Sequence, residues 1–300
     1  MNTQYELIRL QDACKQKGPL CTGLDTDSSY IPPEVMRNFS SATEAVLAYN
    51  MGLIEATAEF SACFKVQVAY YEALGLEGMK VYSKTLKAVR EKGIPVIADV
   101  KRGDIAATAD AYARAHFNGD FEADIITINP YMGFDTLKPF TDAAFDKGKG
   151  LFVLLRTSNP GMVDIEKLAL TDGGIVIDKV GAELARINSS YGQQVVGAVV
   201  GCTEESDARA IRDAYPDMQF LIPGYGAQGG AARICATLLD NAGGTVNNSR
   251  GILCAWKKDE NLSEKRDAGT ITMHDMLQSA KDAAKNSQED LLNAKKLLAK

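Results

Sequence analysis

The chain has 300 residues, 46% of them hydrophobic, which is enough for one large α/β barrel or for two ordinary domains. Its formal net charge of −6 and its pI near 5.2 argue against a general nucleic-acid-binding surface, although they leave room for a local basic pocket that binds a small anion. No apolar run reaches the length of about 18 residues typical of a membrane-spanning helix, so we expect no such helix.

The N-terminal residues and the cysteines indicate the compartment. Residues 1–6 (MNTQYE) lack the basic and apolar regions of a signal peptide. Six cysteines are scattered without C-x-x-C spacing, and several lie in apolar runs: Cys14, Cys21, Cys63, Cys202, Cys235 and Cys254. We therefore expect reduced thiols rather than disulfides or zinc ligands, and a cytoplasmic location.

Short apolar runs alternate with longer helical patterns along the whole chain. The apolar runs are rich in Val, Ile and Leu without polar alternation, which is typical of parallel strands covered on both faces. Eight strand candidates lie at residues 20–25, 62–68, 94–100, 123–129, 150–156, 195–201, 219–223 and 251–255. Helical patterns lie at residues 42–58, 73–92, 105–117, 175–188, 205–214 and 230–240, and two more, at about 4–17 and 272–299, flank the series. Residues 257–271 are charged and polar, and we expect a surface loop there.

These alternating units predict a parallel (β/α)8 TIM barrel with extra N- and C-terminal helices. The competing interpretation is an open, doubly wound sheet. The barrel is favoured because the strand count reaches eight and no G-x-G-x-x-G follows the first strand. No low-complexity linker divides the chain, so we expect residues 1–300 to form a single domain.

The end of the third strand is the first place to look for chemistry, because active sites of barrels gather where strands end. Residues 99–104 (DVKRGD) place Asp99, Lys101 and Asp104 directly after an apolar run, and such a cluster is unfavourable unless it is paired or used. Lys65 is a further ammonium inside the apolar second strand. A snorkelling Lys65 and a helix-capping Asp104 are the structural alternatives. Together, the four residues favour an alternating charge network that keeps Lys101 protonated.

Polar residues at the other strand ends suggest a binding pocket. They are Asp25 after the first strand, Asn129 and Tyr131 after the fourth and Ser158 after the fifth, while the seventh strand ends at Pro223. The glycine-rich segment 224–230 offers unobstructed backbone N–H groups, and Arg250 beside the eighth strand can add a bidentate charged contact. Loops after the last two strands of such barrels often bind phosphate, so this combination predicts a phosphate site.

The histidines and cysteines indicate no metal site. His116 and His274 lie in helical patterns, and neither H-E-x-x-H nor a Cys/His spacing suggests zinc. A Ser-His-Asp triad is not supported either.

The motifs resemble those of the orotidine 5′-phosphate decarboxylase family. The chain length and the motif sequences are similar to those of its longer bacterial branch. The resemblance runs through most of the chain, in LDTD, FKVQVAYYE, ADVKRGDI, TINPYMG, RTSNPG, PGYGAQGG and NNSRGILCA. D-x-K-x-x-D alone would fit the wider superfamily, whereas RTSNPG, PGYGAQGG and SRGI in this order are specific. The resemblance implies a (β/α)8 barrel, usually a homodimer with active sites at the interface. It also implies cofactor-free decarboxylation of orotidine 5′-phosphate to UMP in pyrimidine biosynthesis.

The resemblance gives the charged residues their expected roles. Lys65, Asp99, Lys101 and Asp104 match the Lys-Asp-Lys-Asp network of the family, in which Lys101 would deliver a proton to C6 of the pyrimidine. Lys65 and Asp25 would bind ribose hydroxyls.

Further residues are implied to contact the substrate, among them Pro223. Asp104, with Ile105 and Thr108, would reach into the active site of the partner subunit. Ser158 would face the pyrimidine ring. No role is assigned to Asn129 or Tyr131.

The phosphate end of the site is implied in the same way. Gln228 and Arg250 would hold the phosphate, while Gly229 and Gly251 would give the backbone room. Residues 224–230 would belong to a loop that closes over the substrate.

Two alternatives from other functional classes remain. The first is a Mg²⁺-dependent sugar-phosphate decarboxylase or aldolase of the same superfamily, against which RTSNPG and PGYGAQGG weigh. The second is a non-catalytic nucleotide-binding protein, against which the complete Lys-Asp-Lys-Asp set weighs.

Overall fold

Eight parallel strands close into a barrel in the computed structural model, which describes residues 4–225 and 231–298. Each strand pairs with the next one in the chain, and the last pairs with the first. The strands are β1 Leu20–Gly23, β2 Cys63–Gln67, β3 Val96–Arg102, β4 Ile125–Ile128, β5 Gly150–Arg156, β6 Val196–Val200, β7 Phe220–Ile222 and β8 Gly244–Asn248. The predicted barrel is confirmed, and the open sheet is excluded.

Helices surround the barrel and extend it at both ends. They are α1 Glu6–Lys17, α2 Pro33–Met36, α3 Ala42–Thr57, α4 Ala69–Glu72, α5 Gly75–Glu91, α6 Ala106–Phe117, α7 Lys138–Lys147, α8 Val176–Tyr191, α9 Glu205–Ala214, α10 Ala231–Leu238, α11 Arg250–Leu253, α12 Ser263–Ala268 and α13 Met273–Leu298. The predicted flanking helices correspond to α1 and α13, and the latter packs on α3, α10 and α11. None of the helices in the described ranges has the length and apolar character needed to cross a membrane.

The predicted position of the eighth strand is wrong. Residues 251–253 belong to the short helix α11. The eighth strand is β8, which ends at Asn248, before this segment. The segment is apolar because it contains Ile252 and Leu253, whose side chains α11 buries in the core.

The strand β8 was not recognised from the sequence because three of its five residues are polar, although every residue of the strand is buried. Thr245 donates a hydrogen bond to the carbonyl oxygen of Pro19 at 3.0 Å, and Asn248 donates to Ser287 Oγ at 3.0 Å. These distant partners satisfy the polar groups inside the protein, so the strand does not need an apolar sequence.

The predicted surface loop at residues 257–271 contains the helix α12. The segment is mostly exposed, as expected, but it is not irregular. The Asp259 side chain accepts from the Asn261 N–H at 3.0 Å and from Ser279 of α13 at 2.7 Å, and these bonds tie the turn before α12 to the C-terminal helix.

Helix α1 closes the N-terminal end of the barrel. Leu7 and Leu10 are fully buried in a cluster with inward-facing strand residues that include Cys21, Ile97 and Phe152. The outer core lies between the barrel and its helices. All six cysteines are free, in agreement with the prediction of reduced thiols. With one end of the barrel plugged, the carboxyl ends of the strands offer the open face.

Candidate active site

The end of β3 adopts a strained conformation that brings two charged groups together. Lys101 has a φ of 43°, a left-handed value that side chains with a Cβ rarely adopt. The pairing of β3 with β4 shifts register at this point, and Thr127 Oγ1 accepts the N–H groups of Val100 and Lys101, both at 2.9 Å. The same hydroxyl donates to Asp99 Oδ1 at 2.9 Å. Thr127 thus replaces the interrupted ladder and stabilises the bulge.

Four charged side chains of alternating sign follow one another across the barrel mouth, and we call them the charge network: Asp25, Lys65, Asp99 and Lys101. Lys65 Nζ lies 2.8 Å from Asp25 Oδ1 and 3.4 Å from Asp99 Oδ2. Lys101 Nζ lies 2.6 Å from Asp99 Oδ1. Lys65 is 4% exposed and Asp99 is 6% exposed, so the interior of the network is shielded from water, whereas Lys101 reaches the opening.

Neutral side chains complete the network. Gln67 donates to Asp99 Oδ2 at 2.9 Å, and Ser249 Oγ donates to Asp25 Oδ2 at 2.6 Å. A Cβ at Gly23 would lie 1.9 Å from Ser249 Oγ, so this close approach requires glycine. Sequence reasoning missed Gln67, Thr127 and Ser249, although all three lie in motifs that it singled out, FKVQ, TINP and NNSRG.

The network holds both of its buried members in their charged forms. Burial disfavours the ammonium of Lys65, but the carboxylates of Asp25 and Asp99 outweigh burial and raise the pKa of Lys65 well above its ordinary value. Burial likewise disfavours the Asp99 carboxylate, but Lys65, Lys101 and the hydrogen bonds from Lys101 and Thr127 lower its pKa. At neutral pH the site therefore contains fixed charges of both signs.

Because the pKa of Asp99 is lowered in the folded protein, part of the free energy of unfolding depends on pH in the acidic range. The contribution is present above the unfolded pKa of about 3.9 and is lost as the pH falls through the lower folded value. The raised pKa of Lys65 acts at the alkaline end, where its contribution is lost as the pH rises through the folded value. We expect Asp99→Asn to flatten the decline of unfolding free energy below about pH 4. Urea unfolding at a series of pH values measures this change.

Asp282→Asn, at an exposed position on α13, is the matched control and should follow the wild-type curve. Parallel pH curves for the wild type and Asp99→Asn would contradict the assignment of this acid dependence to Asp99.

A cavity of about 350 Å³, which we call the network cavity, opens beside the charge network. Its lining includes Lys65, Asp99 and Lys101 on one side, and Ser158 and Pro223 on the other. The structure thus brings the predicted pyrimidine-facing residue to the same space as the predicted proton donor.

An adjoining cavity of about 580 Å³, which we call the cationic cavity, lies at the ends of β1 and β8. Asp25, Arg250, Gly251 and Lys258 are among its lining residues, and Asn247 lines both cavities. Within the described residues, neither Arg250 nor Lys258 has a carboxylate at ion-pair distance. Two exposed cations without acidic partners suit a phosphate. Sequence reasoning missed Lys258, which lies in the segment expected as a surface loop.

Two of the predicted phosphate contacts, Gln228 and Gly229, lie outside the described residues. A Cβ at Gly251 would lie 2.4 Å from Asn248 Oδ1, so the turn at the wall of the cationic cavity requires glycine. The close approach to Asn248 therefore explains why residue 251 is glycine, in addition to its predicted place beside the phosphate.

Asp104 lies apart from the charge network of its own chain. Its Oδ1 accepts the N–H of Ile105 at 2.8 Å, and in the described ranges it forms no ion pair with Lys65 or Lys101. Helix α6 has no side-chain N-cap, so the alternative role of Asp104 as a cap is not seen. Ile105 is 56% exposed, and Thr108 is exposed as well. These three residues form a surface beside the barrel mouth.

No group of three or more His, Cys, Asp or Glu side chains in the described parts of the chain is arranged to hold a metal ion. His116 is buried, and burial together with Arg102 lowers its pKa to about 4. Asn129 and Tyr131 line another cavity, on the far side of the loop after β5.

Comparison with known proteins identifies the family to which the chain is similar. The sequence profile of the Orotidine 5′-phosphate decarboxylase / HUMPS family matches residues 18–258. The orotidine 5′-phosphate decarboxylase of Clostridium perfringens (strain SM101 / Type A) is 49% identical over 280 residues, which cover 91% of this chain and 98% of that protein. The enzyme of the same name from Clostridium botulinum (strain Loch Maree / Type A3) is 51% identical over 255 residues, covering 83% and 89%.

Solved structures show the same architecture over nearly the whole chain. The Leishmania donovani OMP decarboxylase superposes with a TM-score of 0.74 at 31% identity, covering 97% of this chain and 99% of that one. A structure from Streptomyces avermitilis ma-4680, described as a putative orotidine 5′-phosphate decarboxylase, gives a TM-score of 0.80 at 30% identity, covering 98% and 97%. With the profile match and relatives near 50% identity over most of its length, the chain belongs to the orotidine 5′-phosphate decarboxylase / HUMPS family.

Proposed function

We propose that this protein decarboxylates orotidine 5′-phosphate to UMP in de novo pyrimidine biosynthesis, as a single (β/α)8-barrel domain and without a cofactor. The observation that carries the proposal is the charge network, which opens into the network cavity, together with Arg250 in the adjoining cationic cavity, a cation that has no acidic partner among residues 4–225 and 231–298. This arrangement offers a fixed ammonium to a reacting ring and a separate cation to a phosphate. The free cysteines support a reducing compartment, and the cytoplasm is the proposed location.

Lys101 carries the chemical step in this proposal. When the bond from C6 to the carboxylate breaks, its electron pair stays on C6 and CO2 leaves, and the pyrimidine ring delocalises that charge poorly. A fixed ammonium stabilises the developing carbanion, and the same Lys101 Nζ then delivers the proton that forms the C6–H bond. Solvent returns a proton to the amine, which Asp99 at 2.6 Å keeps in place.

The other members of the network prepare the site for this step. Asp99 lies beside Lys101 and faces the network cavity, so we place the substrate carboxylate next to it. Two carboxylates in proximity disfavour the bound substrate, and the loss of CO2 relieves that repulsion. Lys65 and Asp25, joined at 2.8 Å, hold the ribose hydroxyls.

Arg250 holds the phosphate in the cationic cavity, with Gly251 beside it and Gln228 and Gly229 as further contacts. Ser158 and Pro223 border the pyrimidine from the wall opposite the network. The phosphate takes no part in bond breaking, but its binding energy orients the ring against Lys101.

Arg250→Ala is expected to lower kcat/KM for orotidine 5′-phosphate on the order of 10²-fold or more, equivalent to roughly 3 kcal/mol, because the phosphate loses its bidentate cation. Inhibition by UMP should weaken, whereas inhibition by uridine should not change. Steady-state kinetics with both inhibitors measures the effect.

The control for this variant is Arg186→Ala, which removes an exposed guanidinium that pairs with Glu183 on the same helix. Near-normal kinetics for Arg250→Ala would exclude Arg250 from the phosphate site.

We further propose that the protein is a homodimer in which each subunit completes the site of the other. The support is the separation of Asp104 from the network of its own chain, together with the exposure of Ile105 and Thr108 beside the mouth. A second copy that covers this surface would bring Asp104 to the neighbouring Lys101.

Mixing two inactive variants tests the shared site. Lys101→Ala and Asp104→Ala should each lose most activity, and a refolded equimolar mixture should regain about one quarter of the wild-type activity, because half of the dimers are mixed and each mixed dimer has one intact site. A mixture of Lys101→Ala with Asp99→Asn should regain nothing, since both residues belong to the same half-site. A protein that is monomeric in dilute solution would contradict the proposal.

The test of the function itself is a decarboxylation assay on the purified protein. Loss of orotidine 5′-phosphate absorbance with formation of UMP, unchanged by EDTA, supports the proposed reaction. Turnover of a sugar phosphate that EDTA abolishes and Mg²⁺ restores would favour the alternative of the same superfamily. Binding of UMP without any turnover would favour a nucleotide-binding protein.

A further inference from the structure

The loop that follows β5 separates two cavities. Thr157, Ser158 and Asn159 line the network cavity, and Thr157 and Asn159 also line a cavity of about 570 Å³ on the other side of the loop. Ser158 and Asn159 are exposed. With open space on both sides, the conformation of this segment depends on polar contacts as well as on packing.

Glu166 holds this loop through two hydrogen bonds to one residue. Its Oε2 accepts the Thr157 N–H at 2.9 Å. Its Oε1 lies 2.7 Å from the Thr157 hydroxyl, whose single proton Glu166 shares with Asn159 Oδ1, also at 2.7 Å. Within the described residues Glu166 has no ion-pair partner, so its charge acts on these two donors alone. Hydrogen bonds to a charged acceptor are roughly twice as strong as neutral ones.

The carbonyl group of Thr157 is held from the other direction. Arg156 is 1% exposed, and its Nη1 donates to the Thr157 carbonyl oxygen at 3.1 Å. Asp207 accepts from Arg156 Nη2 at 3.1 Å and pairs with Lys167 at 2.9 Å. Charged side chains therefore hold both the N–H and the carbonyl group of the residue that precedes Ser158.

Ser158 is placed tightly as a result. A Cβ at Gly201 would lie 2.9 Å from Ser158 Cα, so the Ser158 backbone packs directly on this glycine at the end of β6. Thr157 is held by hydrogen bonds, and the Ser158 backbone packs on Gly201. The Ser158 side chain therefore lies at a fixed place in the wall of the network cavity.

We propose that Glu166 is a positioning residue for the pyrimidine end of the site. By holding Thr157, it sets the position of Ser158 against the substrate ring, although of the two cavities Glu166 lines the one behind the loop. The inference rests on the proposed function, in which Ser158 faces the pyrimidine. A small displacement of such a wall lowers the rate because the ring is no longer aligned with Lys101.

Glu166→Gln is the sharpest test, because it keeps the size of the side chain but presents an amide N–H₂ to one of the two Thr157 donors. We expect kcat/KM for orotidine 5′-phosphate to fall on the order of 10-fold to 100-fold. Glu183→Gln, which removes a carboxylate paired with Arg186 on α8, is the matched control and should behave as the wild type.

Binding of two ligands separates positioning from a general loss of structure. UMP carries the pyrimidine, whereas ribose 5-phosphate shares only the sugar and the phosphate. In Glu166→Gln the dissociation constant of UMP should rise about tenfold while that of ribose 5-phosphate stays within about twofold of the wild-type value. Equal weakening of both ligands, or no weakening of either, would overturn the proposal.

A double-mutant cycle with Ser158→Ala tests whether Glu166 acts through Ser158. The combined loss in UMP affinity should be smaller than the product of the single losses, because the second change removes a contact that the first has already displaced. Losses that multiply would overturn the proposal. The binding measurements need no turnover, so a wild-type protein that does not consume orotidine 5′-phosphate would contradict the proposed function alone.

Discussion

Replacement of Lys101 by alanine is expected to lower kcat for orotidine 5′-phosphate by at least about 10⁴-fold, because one ammonium both stabilises the carbanion and supplies the proton. The fold should survive this change. Asp99 keeps its contacts with Lys65, Gln67 and Thr127, so no buried carboxylate is left without a partner. Substrate depletion over long incubations with the purified variant measures the residual rate.

Lys80→Ala provides the control, because Lys80 is exposed and pairs with Glu77 on the surface of α5. Circular dichroism and thermal unfolding of both variants establish that they are folded. A folded Lys101→Ala protein with retained activity would overturn the assignment of the proton donor.

Lys65→Met is expected to damage both stability and activity. Methionine fills much of the space, but it leaves Asp25 and Asp99 without the cation that lies between them. Loss of one partner from a buried ion cluster typically costs about 3–5 kcal/mol of unfolding free energy. We also expect kcat/KM to fall on the order of 10³-fold, since Asp25 no longer has a fixed position at the ribose.

The stability defect of Lys65→Met should depend on pH in a defined direction. Lys65 is the main group that lowers the pKa of Asp99, so without it burial raises the Asp99 pKa in the folded variant, and protonation then removes the unfavourable charge. The difference from the wild type should therefore be largest at neutral pH and shrink as the pH falls toward about 4. Urea unfolding at both pH values measures it.

Lys92→Met, which breaks a surface pair with Glu55, should cost less than about 1 kcal/mol under the same conditions. A Lys65→Met protein as stable as the wild type at neutral pH would contradict the role of Lys65 as the shared counter-ion.

The interior of the charge network could be predicted from the sequence because charges inside apolar runs are conspicuous. Lys65, Asp99 and Lys101 each interrupt a run that otherwise predicts a buried strand, and parallel topology places such strand ends side by side. The association of these three residues therefore follows from periodicity and topology. Asp25 was identified at the end of the first strand, but its ion pair with Lys65 was not predicted.

The place of Asp104 could not be predicted in this way. Its spacing from Lys101 suggests that it joins the same cluster, yet left-handed backbone conformations at Lys101 and at Ala106, with φ values of 43° and 44°, redirect the chain between strand and helix. Thr127 stabilises the backbone at Lys101 through hydrogen bonds from a neighbouring strand, and neither dihedral angle has a signature in the sequence.

Two further features depend on contacts between distant residues. The strand β8 was misplaced because its polar residues find partners in Pro19 and Ser287. Glu166 was missed because it lies in an irregular segment. The chain turns back after Ser158, through residues 160–164, and this turn places Glu166 beside Thr157.

Closure of the barrel has a consequence for the order in which the protein forms during synthesis. The seam between β1 and β8 pairs Leu20 with Val246, and the bond from Ser249 to Asp25 joins residues 224 positions apart. A nascent chain that has emerged only as far as β7 exposes two unpaired strand edges, which are liable to associate with other chains. The part of the site where Ser249 meets Asp25 is therefore assembled last, after most of the chain has left the ribosome.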